Sequence, residues 1–258
     1  MAENQGLALV TGGSSGIGLE LARRFARDGH ALIVAAEDSS ELENAARELR
    51  AEGAPRVETV VADLAEPGGA ARLYETVKHE HGTPDFLVNN AGRGVYGDFA
   101  RETDLEAELR MIQLNVVSVV ELTKRFAREM VARRSGKILI TSSIAALAPT
   151  PKLTVYSATK AFDFAFAEAL ANELEDTGVT VTALLPSETD TEFFERAGME
   201  GSPIGQSKKA DPADIARAGY DAMMKGTDHV IAPFTAKMRA ALTSVLPESM
   251  VTAMARPE

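Results

Sequence analysis

Short, almost wholly apolar runs alternate along this chain with longer stretches of helical period, and that alternation limits the folds open to it. Leu7–Val10, Ala31–Ala35, Val57–Val61, Asp85–Val88, Lys137–Thr141, Val179–Leu185 and His229–Ala232 read as strands. They show little polar alternation, the pattern of strands covered on both faces. Between them lie helical spacings such as Ile17, Leu21 and Phe25, or Leu42, Ala45, Ala46 and Leu49. A β-α repeat of this kind predicts an α/β fold: one Rossmann-type, doubly wound parallel sheet of about seven strands with helices on both faces. No Pro- or Gly-rich linker, repeat or low-complexity segment divides the 258 residues, so a single domain is expected over 1–258.

Composition narrows the function classes. The chain has no cysteine, which removes disulfides, thiolate chemistry and Cys-based zinc sites. His30, His79, His81 and His229 are scattered, and no metal site is expected. With 27 Lys and Arg against 38 Asp and Glu, the net charge of −11 repels a polyanion, so nucleic acid is not an expected partner. No run approaches the roughly 18 apolar residues of a membrane span. The N-terminus lacks the basic start and apolar core of a signal peptide, and a cytoplasmic location is the expectation.

Two stretches, 105–132 and 158–176, carry apolar residues around most of the helix circumference. Burial against the sheet covers one side only, so the rest marks either a well-buried internal helix or a subunit interface.

The first strand runs into Thr11-Gly12-Gly13-Ser14-Ser15-Gly16-Ile17-Gly18 and then an amphipathic helix. Strand, glycine turn and helix N-terminus together form an anion cradle, with backbone N–H groups aimed at phosphate oxygens. The spacing is neither G-x-G-x-x-G nor a P-loop, so the turn hints at a nucleotide through its position. The second strand ends at Ala36-Glu37-Asp38. An acid there accepts hydrogen bonds from an adenosine ribose and repels a 2′-phosphate, which favours NAD(H) over NADP(H). Asp38 serves equally well as a helix cap. After the third strand, Asp63 and Leu64 are placed to hold the adenine, with Asp63 also a possible cap for a helix beginning near Glu66.

Tyr156 and Lys160 are i,i+4 neighbours on one helix face. A fixed ammonium beside a phenol favours phenolate, drawing its pKa down toward neutrality and making Tyr156 a general acid or base. Ser143 lies just past the fifth strand, at the edge where ligands of open α/β sheets bind. Asn115 interrupts the apolar run Leu114-Asn115-Val116-Val117, where a buried amide needs partners.

Taken in order, Thr11–Gly18, Asn89-Asn90-Ala91-Gly92, Asn115, Ser142-Ser143, Tyr156 with Lys160, and Pro186 with Thr191 resemble the motif set of the short-chain dehydrogenase/reductase family. The resemblance covers about residues 5 to 191 and implies the strand order 3-2-1-4-5-6-7 and a homodimer or homotetramer assembled through the stretches 105–132 and 158–176. It implies an oxidoreductase that moves hydride between a nicotinamide dinucleotide and a carbonyl or secondary alcohol. Tyr156 would then exchange the proton, Lys160 would hold the nicotinamide ribose, Ser143 would orient the carbonyl oxygen, and Asn115 would keep a relay water. Gly12, Ser14, Ser15, Gly16, Ile17, Gly18, Glu37, Asp63, Leu64, Asn90, Ala91, Gly92, Pro186, Thr189 and Thr191 would contact the cofactor, together with Tyr156 and Lys160.

The chain departs from the family pattern at several points. Ser187 follows Pro186 where glycine is usual, and Ala36 stands in place of the aspartate of NAD enzymes. Glu37 and Ser15 occupy positions where NADP enzymes often carry cations. The stretch 187–210 reads as a substrate lid and 234–258 as a C-terminal helical segment. Arg93, Ser143, Phe193 and Phe194 are candidate substrate contacts, for a neutral or modestly polar ketone or alcohol. Two other readings compete: a catalytically silent nucleotide-sensing or scaffold protein on the same fold, and an epimerase or dehydratase that uses bound NAD transiently.

Overall fold

A computed structural model describes residues 6–199, 201, 202, 206 and 209–233; the expected segment 234–258 and part of the 187–210 lid lie outside them. The first half of the chain forms β1 (Leu7–Thr11), α1 (Gly16–Arg27), β2 (Ala31–Ala36), α2 (Ser39–Ala51), β3 (Val57–Val61), α3 (Gly69–His81) and β4 (Phe86–Asn89). The second half adds α4 (Leu105–Ile112), α5 (Ser118–Ala132), β5 (Gly136–Thr141), α6 (Thr154–Glu173), β6 (Val179–Pro186), α7 (Phe193–Arg196), α8 (Pro212–Lys225) and β7 (His229–Ala232). All strand pairs are parallel, from Leu7 opposite Ala31 to Pro186 opposite Ala232, in the order β3-β2-β1-β4-β5-β6-β7.

Period-2 geometry divides each strand between two apolar layers. Leu7 and Leu9 of β1 face a core with Leu73 of α3, Phe126 of α5 and Ala167 of α6. Ala8 and Val10 face the other, with Phe25 of α1, Leu42 of α2 and Tyr220 of α8. Phe25 and Phe126 are fully buried, one in each layer, and each contributes about 1.5–3 kcal/mol by leaving water. The two-face reading weakens at β3. It is an edge strand, and Val61 at its end is 60% exposed.

Three helix boundaries differ from the sequence reading. Stretch 105–132 is two α-helices joined by a π-helical turn, Gln113–Val117, with Asn115 fully buried inside it. The wide turn lets the amide reach partners that a regular helix would deny it. The helix expected at 158–176 begins one turn earlier, at Thr154, and ends at Glu173, ahead of Asp176 with its positive φ of 65°. The helix placed near Glu66 begins at Gly69. Among the described residues, no helix is long and apolar enough to cross a membrane.

Candidate active site

The C-terminal ends of the strands open into a cleft of about 970 Å³, reaching from the glycine turn and the end of β2 to Ser143, Tyr156 and the lid. At one end, Gly12 (φ 62°) and Gly16 (φ 54°) adopt the left-handed backbone that glycine tolerates. A Cβ on Gly18 would fall 2.0 Å from the Gly12 carbonyl oxygen, so α1 seats directly on the turn. Ser15 caps α1 in extended conformation without a side-chain bond to the helix, which leaves the first-turn N–H groups facing the cleft. Asn90 and Ala91 are bolted to this turn. Their N–H groups donate to Thr11 Oγ1 at 3.0 and 3.1 Å, and Asn90 Nδ2 donates to the Thr11 and Gly12 carbonyls at 3.2 and 3.3 Å. Ile17, Leu64, Pro186, Thr189 and Thr191 line the same cleft, with the Thr191 methyl 3.1 Å from where a Gly16 Cβ would sit.

The acidic groups near the end of β2 are already engaged. Asp38 caps α2, accepting from the Ser40 and Glu41 N–H groups at 2.7 and 2.9 Å, and these bonds together with one from the Ser40 hydroxyl hold its carboxyl below the usual range. Glu37 lies 3.5 Å from the guanidinium of Arg93. Arg93, expected beside the substrate, thus turns toward the acidic end of β2. Asp63 accepts from the Ala65 N–H at 2.7 Å and from Arg110 at 2.8 Å, closing a turn ahead of α3 rather than capping it. Ser14 donates to Glu41 at 2.9 Å, and Arg196 of the lid reaches the same carboxylate at 2.9 Å. Arg196 was not among the sequence candidates. It stands 155 positions from Glu41, and no local pattern announces the pair.

At the other end, β5 delivers Ser143, and α6 delivers Tyr156 and Lys160. Ser143 opens a 3₁₀ turn, Ile144–Leu147, by accepting from the Ala145 N–H at 3.1 Å, and its hydroxyl is near enough to the Tyr156 phenol to favour its ionisation. Lys160 Nζ donates to the Thr141 carbonyl at 2.8 Å and to Asp163 at 3.0 Å. Asn115 Nδ2 donates to the Arg93 carbonyl at 3.0 Å and to Thr159 Oγ1 at 3.1 Å, while its Oδ1 accepts from the Arg93 N–H at 3.1 Å. The π turn is thereby tied to both the β4 loop and α6. A Cβ on Gly92 would sit 3.4 Å from Asn115 Oδ1 and 3.5 Å from Lys160 Nζ, a close approach that suits glycine.

The phenol corrects the sequence reading. Burial pushes Tyr156 above the ordinary tyrosine range, against the opposing pull of Lys160 and Ser143, and Asp163 pushes the same way as burial. The expected lowering toward neutrality treated the ammonium as unopposed. Asp163 was missed, although an acid inside Phe162-Asp163-Phe164-Ala165-Phe166 is the kind of break in an apolar run that marks a buried partner.

The described part of the segment after β6 packs against the phenol. Phe193 lies 5.3 Å from Tyr156 between ring centroids, whereas Phe194 packs inward with Met111 and Met199, and Lys209 Nζ sits 4.4 Å from its ring. Of the two lid aromatics, Phe193 borders the reacting end and Phe194 holds the lid to the body. Where glycine is usual after Pro186, Ser187 donates its N–H to the Ala232 carbonyl at 3.0 Å.

Comparison with known proteins agrees with this arrangement. A family model described as short chain dehydrogenase matches residues 6–200. "Probable oxidoreductase EphD" of Mycobacterium tuberculosis is 34% identical over 203 residues, 78% of this chain and 34% of that protein, so the chain spans about a third of that relative's length. A short-chain dehydrogenase from Sphingobium yanoikuyae, solved in complex with NADPH, superposes with a TM-score of 0.83 at 30% identity, covering 98% of this chain and 97% of its own. L-Sorbose reductase of Gluconobacter frateurii, complexed with NADPH and L-sorbose, has a TM-score of 0.78 at 27% identity, with 88% and 94% covered. The NAD(H) preference read from Glu37 and Asp38 is overturned by these neighbours, which hold NADPH. The physical reason for the misreading is on the page: Asp38 is spent on the α2 cap and Glu37 faces a guanidinium. Family match, strand order and the Ser143–Tyr156–Lys160 cluster at the strand ends agree, and the chain belongs to the short-chain dehydrogenase family.

Proposed function

We propose that this protein reduces a ketone or aldehyde on a small organic molecule with NADPH, Tyr156 delivering the proton. The observation that carries the reading is the cleft: a glycine-turn cradle at one end, and Ser143, Tyr156 and Lys160 together at the other. The cradle is shaped for a dinucleotide, because α1 packs so closely on Gly12 that a Cβ at Gly18 would displace the turn. When bound there, NADPH supplies the hydride.

Ser143 donates to the substrate carbonyl oxygen and orients it. Tyr156 would give that oxygen its proton, and the phenolate so formed would regain one from solvent. An ammonium carries three donors; two of those on Lys160 are spent on Thr141 and Asp163, and the third would be free to hold the nicotinamide ribose of a bound cofactor. Asn115 acts as a positioning residue, holding Arg93 and α6 in place around that lysine. Arg93, paired with Glu37, and Arg196, paired with Glu41 and Glu192, are the cations beside the adenosine end, and a 2′-phosphate would take their guanidiniums over from these carboxylates. Phe193, Leu153 and Val95 give the substrate side an apolar wall, which fits a neutral carbonyl compound better than an acid.

The test is consumption of NADPH and of NADH at matched concentration over a panel of neutral ketones and aldehydes. At least tenfold higher kcat/KM with NADPH is expected. A dinucleotide that binds but turns over with no carbonyl would favour the silent nucleotide-binding reading.

Self-association belongs to the same proposal. Leu105 and Leu109, i,i+4 on α4, are 70% and 50% exposed, and Phe162 on α6 is 42% exposed and stacked on Phe166. Exposed apolar groups on both helices fit a second copy of the chain. The double variant Leu109→Glu, Phe162→Glu should run as a monomer in sedimentation at a concentration where the parent is dimeric or tetrameric; an unchanged sedimentation coefficient would reject the interface.

A further inference from the structure

In the mechanism above Asp163 only occupies a donor of Lys160, yet it is a fully buried carboxyl. It is fully inaccessible, its Oδ2 accepts from Lys160 at 3.0 Å, and its Oδ1 is buried with no hydrogen-bond partner. A carboxyl in such surroundings is expensive unless a charge pairs with it. Its one charged partner is the lysine that stands one turn from the phenol. Taking the reductase reading as given, we infer that Asp163 is a positioning residue: the buried counter-ion of Lys160, it opposes the ammonium's pull on Tyr156 and helps burial to keep the phenol in its proton-donating form.

The surroundings leave little else to set that charge balance. On α6 itself the ionisable groups acting on the phenol are Lys160 and Asp163. The β5 side contributes the Thr141 carbonyl and the Ser143 hydroxyl, the π turn contributes the neutral amide of Asn115, and the lid contributes Phe193. Glu108 of α4, which packs on α6, is a buried carboxyl that burial pushes above its ordinary range, and it is not among the groups acting on the phenol. Farther along α6, Glu168 is taken by His229 of β7 at 3.0 Å. The raised phenol has burial as its first cause, and Asp163 acts in the same direction. Carbonyl reduction needs the phenol and alcohol oxidation needs the phenolate. A protein built this way sustains reduction well above neutral pH and confines oxidation to alkaline pH.

The sign of the test follows. Removing an anion beside the phenol favours phenolate, so the ionisation moves to lower pH. In Asp163→Asn, the alkaline fall in kcat/KM for reduction should move down by about one pH unit or more, and alcohol oxidation at neutral pH should rise. Asp163→Leu, whose apolar side chain suits the site, should shift the same way if the asparagine variant does not fold. Independently of any substrate, ultraviolet absorbance of the protein minus that of Tyr156→Phe reports the phenol directly. In the parent protein it should ionise only above the ordinary value of about 10. Ionisation of the parent phenol near neutrality would overturn the inference. So would a folded Asp163 variant whose rate falls while its profile and absorbance titration stay in place, for that is the mark of a purely structural role. Because the titration needs no turnover, failure to find a carbonyl substrate would count against the reductase reading and leave this one separately decided.

Discussion

Tyr156→Phe should lower carbonyl reduction by about 10²–10⁴-fold while leaving NADPH binding and the fold in place. The substitution removes one oxygen and keeps the ring, so the 5.3 Å packing with Phe193 and the apolar cluster around Met111 and Leu153 persist. The loss of one polar contact costs about 1 kcal/mol of stability at most. What disappears is the group proposed to give the substrate oxygen its proton. Steady-state rates, a melting curve and NADPH fluorescence titration separate these effects. A variant that keeps a tenth of the parent rate would take the proton-donor role away from Tyr156.

Gly18→Ala attacks the other end of the cleft. The new Cβ would lie 2.0 Å from the Gly12 carbonyl oxygen and 2.5 Å from Asn90 Nδ2. The first contact is with backbone, so the side chain cannot swing aside; α1 or the turn has to move. Overpacking of this kind costs about 1–3 kcal/mol, and displacement of the cradle should weaken NADPH binding at least tenfold, about 1.4 kcal/mol. Gly201→Ala is the control, because nothing lies near a Cβ there and its φ is ordinary. Melting temperature and NADPH affinity should both fall for the first variant and neither for the second. Full affinity in Gly18→Ala would remove the glycine turn from the cofactor site.

Both predictions rest on residues that could be found without coordinates, and it is instructive which others could not. The strands of the sheet interior announced themselves because a doubly covered strand has to be apolar throughout, as Leu32-Ile33-Val34 of β2 shows. β3, with Glu58 and Thr59 in its middle, departs from that pattern because it stands at the edge. The glycine turn was legible because glycine alone takes positive φ cheaply, and Tyr156 with Lys160 because four residues make one turn of a helix. The break in the helix at Gln113–Val117 was not. A helical period looks the same on either side of a π turn, and only the partners of Asn115 explain why the backbone widens there.

The cofactor misreading has the same origin. Glu37 and Asp38 were weighed as bare acids at the end of a strand, whereas Arg93 enters from the loop after β4 and Arg196 from the lid. Nor does the spacing of Lys160 and Asp163 say that both are buried, since an i,i+3 pair on an exposed helix face reads identically.

The amino-acid order alone determined the parallel sheet, the anion cradle and the tyrosine–lysine face, because each follows from the local period of a helix, the two faces of a strand or the backbone freedom of glycine. Only the folded chain decided the electrostatics: which acid is consumed by a cap, which arginine crosses the cleft, and that the lysine beside the phenol carries its own buried carboxylate. Charge acts through space and depends on burial, and neither separation in space nor exclusion of water can be read from position along a chain.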